Sequence, residues 1–310
     1  MRIHSVKSKN PARSVRSSVI ALICATAVLG SAATAAPAAF ADDSGSQAQQ
    51  AAATVEKVTG TADLAPSTVL PGGALQAVTN GDNGTATVTA PAAGGALGVS
   101  ASGTTIGIGL PNTNQAKGVP TDNGTIVYPG AARSADLAVQ PTTDGGVRSL
   151  ITIHDADAAH EYRFDLGLPD GASTQQLDDG SVLVLDQDGQ ALGMFDAPWA
   201  KDANGAPVAT SYRVEGGALI QTIAFDQNTA FPVVADPWWN TAWKYTKCVA
   251  AVAAAFIPAS KAYKAIKGLG GVADAARLLV KAGSAAEFKQ AAGNAALNIL
   301  GISAIQSNCF

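Results

Sequence analysis

The residues equipped to act as ligands or nucleophiles are few and scattered. His154 and His160 lie near Asp155, Asp157 and Glu161, imidazoles and carboxylates that could together hold a metal ion. Their spacing matches no recurrent ligand pattern, and the acids read as a solvated turn after a strand, so no metal site is expected. Asp186-Gln187-Asp188-Gly189 has the opening of a calcium loop. It lacks the later oxygen ligands and the closing Glu, and reads as a hairpin turn. There is no Gly-x-Ser-x-Gly elbow and no glycine loop with a phosphate-binding lysine. The sequence therefore offers no catalytic residue and implies no cofactor.

Other side chains point to binding. Trp199, Trp238, Trp239 and Trp243 could stack on sugar rings, although indoles near a junction also pack that junction. Lys261, Lys264 and Lys267 repeat at helical spacing, and Arg277 and Lys281 follow on the next helical segment. Cations in this arrangement suit an anionic membrane or another anionic partner.

The chain that must position these groups opens with an export signal. Arg2, Lys7, Lys9, Arg13 and Arg16 precede an apolar run from Val19 to Gly30, and Ala39-Phe40-Ala41 supplies a small-x-small cleavage site. Residues 1–41 are thus predicted to be a signal peptide cleaved after Ala41, its apolar run being short for a membrane span. Cys24 leaves with it. The remaining pair, Cys248 and Cys309, is expected to form a disulfide in an oxidising compartment, with two free buried thiols as the alternative. A bridge closing a loop of about 60 residues contributes roughly 4 kcal/mol in the chain-entropy model.

Charge divides the mature chain. Residues 42–236 hold seven lysines and arginines against 22 acids, whereas residues 237–310 hold eight cations against Asp274 and Glu287 alone. The asymmetry suggests contact between the two parts, or different surroundings for each. Residues 42–58, small and polar, are read as a flexible leader. Residues 59–237 read as an acidic β domain. Alternation at Val147–His154 and Tyr162–Leu166, and the Asp-Gly and Gly-Gly turns at Asp188-Gly189 and Gly216-Gly217, argue for an antiparallel sandwich or barrel.

Several stretches are similar to a β-rich module of exported actinobacterial proteins, some of them large surface proteins. They are Gly124-Thr125-Ile126-Val127-Tyr128-Pro129, the Asp136-Leu137 strand, Leu185 to Gly189, Ala197 to Ala203, and the closing Phe231-Pro232-Val233-Val234-Ala235-Asp236-Pro237. The resemblance covers residues 124–237. It implies an extracellular β module and brings no catalytic residue with it.

Residues 238–310 read as a basic α-helical domain of three or four helices. Asn240 is a candidate cap for the first, Gly268 to Gly271 break the second, and Ser284-Ala285-Ala286-Glu287 is a capping box for the last. The expected class is α+β multidomain, an antiparallel β-sandwich-like domain followed by a small disulfide-closed helical bundle. The expected function is that of a secreted, non-enzymatic protein acting by binding at the cell envelope or an anionic membrane surface, with no nucleic-acid partner. The alternative is the precursor of a cationic, membrane-active (bacteriocin-like) tail, restrained by the acidic domain and released by cleavage near Asp236–Asn240.

Overall fold

Ala48, Ala51, Ala52 and Val55 recur at the spacing of one helix face, and all four are buried on one side of α1 (Asp43–Thr59). The computed structural model describes residues 43–81, 84–240, 243–258 and 260–310, so the signal peptide expected over 1–41 lies outside the described residues. The flexible leader expected over 42–58 is corrected by α1. Its polar Ser/Gln composition hid the alanine stripe, which becomes adhesive only where a sheet covers it.

Strands follow from Thr68 to Asn240. They are β1 (Thr68–Val69), β2 (Leu75–Gly81), β3 (Gly84–Ala90), β4 (Ala96–Ala101), β5 (Thr104–Gly109), β6 (Val119–Pro120), β7 (Ile126–Ala132), β8 (Ala135–Pro141) and β9 (Val147–Ile153). Next come β10 (Glu161–Gly167), β11 (Ser173–Gln176), β12 (Val182–Leu185), β13 (Ala191–Phe195), β14 (Ala200–Lys201), β15 (Thr210–Glu215), β16 (Ala218–Ile223), β17 (Val233–Ala235) and β18 (Trp238–Asn240). The Gly216-Gly217 turn joins β15 to β16 with φ of 56° and 73°, values that glycine adopts without strain.

The strands make two large antiparallel sheets. One runs β1-β2-β3-β4-β5-β10-β16-β15, the other β11-β12-β13-β18-β9-β8-β7-β6, with β17 between β14 and β9. Side-chain parity sorts the second sheet. Ile126, Tyr128, Leu137, Val139, Ile151 and Phe195 point to the core shared with the first sheet. Val127, Ala138, Leu150 and Val234, of opposite parity, pack under α1. Both faces are covered, so β8 and β9 are buried along their whole length.

The other end of that outer face is covered by the C-terminal helices. These are α2 (Trp243–Ala255), α3 (Lys261–Gly268), α4 (Val272–Ala282), α5 (Ala285–Ala292), α6 (Asn294–Leu300) and α7 (Ser303–Cys309). Gly293 at φ 55° divides the single last helix expected from sequence into α5 and α6. Ser260 and Ser284 accept the N–H groups of Tyr263 (2.8 Å) and Glu287 (3.3 Å) and so cap α3 and α5. Cys248 of α2 is bonded to Cys309 of α7 across a Cα–Cα distance of 4.6 Å. The bundle core (Val252, Ile266, Leu279, Phe288, Ile299) is continuous with Leu183 and Met194 of β12 and β13. From α1 to Phe310 the chain is one compact unit. Its helical part starts after β18, so Trp238–Asn240 belong to the sheet and Asn240 is a strand residue, not a helix cap.

Candidate functional site

Lys261, Lys264 and Lys267 are all exposed on α3, opposite the buried Ala262, Ala265 and Ile266. Lys281 on α4 and Lys289 on α5 are also exposed. None of these five lysines pairs with a carboxylate among the described residues. Lys267 Nζ lies 5.9 Å from the Tyr263 ring. Arg277 is different. Its guanidinium bonds Asp274 at 2.9 Å, and its charge reaches Asp196 on the sheet side. Burial raises the Asp196 carboxyl to about 6 against the opposing pull of Arg277. Asp178 Oδ1 meanwhile accepts the N–H of Val272 at the start of α4 (3.3 Å). Arg277 is thus exposed like the lysines, but part of its charge is directed at the protein's own acids.

The tryptophans are also redistributed. Trp239 is 1% exposed and meets Phe195 edge-on at 4.9 Å, so it is core and cannot stack on a ligand. A Cβ at Gly193 would lie 2.1 Å from its Cζ2 atom, so the indole depends on that glycine for room. Trp238 has one face under the Arg148 guanidinium, 4.6 Å from the ring centre, and Arg148 itself is paired with Asp63. Trp199 stays half-buried beside Lys201. The side chain of Trp243 lies outside the described residues.

The strongest polar constellation in the core was missed by sequence reading. Val233 to Asn240 runs along β9 in two ladders, β17 and β18, interrupted at Asp236-Pro237 because proline has no N–H to give. Asp236 is fully buried, and its Oδ1 accepts the Trp199 N–H (2.9 Å) and Gln221 Nε2–H (3.0 Å). Gln221 belongs to β16, so this carboxyl ties the two sheets together. The Tyr212 hydroxyl lies close to this carboxyl, but neither it nor Oδ2 completes a hydrogen bond. Burial raises the Asp236 carboxyl to about 7, although the Trp199, Tyr212 and Gln221 contacts oppose the shift. The Asp-Pro dipeptide was the available signal. The partners that give it meaning come from strands far away in sequence.

The histidines sit apart. His154 Nε2 lies 2.9 Å from Asp136 Oδ2, while the His160 ring stacks on Phe225 at 4.1 Å. Asp186 Oδ1 accepts the N–H groups of Asp188 (2.9 Å) and Gln190 (2.7 Å), bracing the β12–β13 turn.

No helix among the described residues is long and apolar enough to cross a membrane. No known protein family, characterised protein or solved structure matches this chain. The assignment of a role therefore rests on its own residues.

Proposed function

We propose that the protein is exported and acts by binding an anionic component of the cell envelope through the lysine face of its C-terminal bundle. The observation that carries this reading is the set of five exposed lysines without carboxylate partners among the described residues, on a disulfide-tied bundle whose apolar side chains are turned onto β12 and β13. Such a surface offers charge on a fixed frame. A lysine near an anionic surface contributes about 1 kcal/mol, so the three on α3 together account for about 3 kcal/mol at low salt. The test is sedimentation of the 42–310 chain with phosphatidylglycerol or phosphatidylcholine vesicles at two salt concentrations. Binding to the anionic vesicles alone, lost at high salt and weakened in a Lys261→Gln/Lys264→Gln/Lys267→Gln variant, supports the proposal. Equal binding to both lipids, or none, refutes it.

Ile257 and Leu297, exposed apolar side chains on the same bundle, favour a second reading in which the tail inserts into and permeabilises membranes. Release by cleavage near Asp236–Asn240 would first require opening the sheet, because that segment is buried along β9. Dye leakage from the same vesicles distinguishes the two readings: binding without leakage belongs to the first, leakage that depends on the lysines to the second.

A further inference from the structure

The cations of the acidic β part divide into two groups. Each arginine is paired: Arg133 with Asp157, Arg148 with Asp63, Arg163 with Asp165, and Arg213 with Glu161 and Glu215. Among the described residues Lys57, Lys117 and Lys201 have no carboxylate partner. Two of these three, far apart in sequence, line the same cleft of about 490 Å3 between α1 and the β14–β17 pair. Against the one carboxylate of the lining, Asp202, two ammonium groups without a carboxylate partner leave the concavity net positive.

The rest of the cleft is mostly apolar. Val58 of α1 forms one wall, and Pro232 and Val234 line the other side. Asp202 lies on the cleft lining itself and Glu56 stands beside Lys57, and both carboxylates are held by hydrogen bonds to other groups. Asp202 Oδ1 accepts the N–H groups of Asn204 (2.9 Å) and Ala206 (2.8 Å) in its own loop. Glu56, next to Lys57, accepts hydrogen bonds from Asn123 (2.8 Å) and Thr125 (2.7 Å). Trp199 packs against the same α1 cluster as Val58, and Lys201 Nζ lies 5.8 Å from its ring. The volume falls within the range of small-molecule sites, about 300–1,000 Å3.

We propose that this cleft binds a small amphiphilic anion, an apolar body ending in a carboxylate, with Lys57 and Lys201 taking the carboxylate and Val58, Pro232 and Val234 covering the apolar body. The site is separate from the lysine face of the bundle. Calorimetric titration of the 42–310 chain with sodium decanoate tests it, with 1-decanol and acetate as probes lacking the charge or the chain. Decanoate is expected to saturate a single site at least tenfold more tightly than either. The Lys57→Gln/Lys201→Gln variant, altered only at exposed side chains, is expected to lose at least tenfold in affinity with an unchanged melting temperature. Tryptophan fluorescence should respond to decanoate in the parent chain and not in Trp199→Phe, which retains the calorimetric binding. Equal affinity for decanol, unchanged affinity in the double lysine variant, or no saturable decanoate binding would overturn the proposal.

Discussion

Replacing Asp236 by Asn should make the protein more stable at neutral and alkaline pH while leaving it nearly unchanged in acid. The buried carboxyl binds its proton more tightly in the folded protein, at about 7, than in the unfolded chain, where the ordinary value is 3.8. Folding therefore takes up a proton between these two values, and stability falls as pH rises through that window. About three pH units at 1.36 kcal/mol each correspond to about 4 kcal/mol withheld from the wild type above pH 7. Asparagine keeps the oxygen that accepts from Trp199 and Gln221, and it offers its amide to Tyr212 without carrying charge. Urea unfolding of both chains at several pH values between 4 and 8 measures the effect. Asp196 titrates in both proteins, so the difference between them isolates position 236. A gap that grows with pH by several kcal/mol supports the reasoning. A gap that stays constant would mean the carboxyl ionises at an ordinary pH, reached by water, and that the cross-sheet contact has been misjudged.

Other perturbations test other layers. Cys309→Ser should lower stability by about 4 kcal/mol, the loop-closure value for residues 61 apart, seen as a lower urea midpoint. Gly193→Ala places a methyl group inside the Trp239 indole and should cost about 1–3 kcal/mol or more, with a change in tryptophan fluorescence. Phe288→Ala should cost about 3–5 kcal/mol in thermal or urea unfolding, because Phe288 is fully buried in the bundle core. His154 is raised above its ordinary value, mainly by its bond to Asp136. Asp136 is lowered, because that bond and the Gly130 N–H outweigh its burial. Each partner therefore stabilises the fold over its own range. The His154 contribution is full below pH 6.5 and fades as pH rises through its raised value. The Asp136 contribution is present above pH 3.8 and fades as pH falls through its lowered value. His154→Ala should flatten the stability profile on the side above pH 6.5, measured by the same unfolding series.

What was legible in the sequence was local. Period-two alternation marked β9 and β10, Gly216-Gly217 and Asp188-Gly189 marked hairpins, and the capping box at Ser284 marked a helix start, because each depends on backbone preferences within a few residues. The cysteines after the expected signal favoured a Cys248–Cys309 bridge over two free thiols, and the structure forms it. A further signal was present and passed over. Val127, Ala138 and Leu150 are apolar on the parity that a one-sided sheet would leave to water, and the alanine stripe of α1 is the element that covers them. The tertiary structure alone decided the rest. It made Trp239 core, brought the Arg277 charge within reach of Asp196, and placed Asp236 between Gln221 and Trp199. It also gathered Lys57 and Lys201 on one cleft. Burial, charge compensation and a raised carboxyl depend on what lies across the sheet, and strands that meet there are distant in the chain, so no local pattern records them.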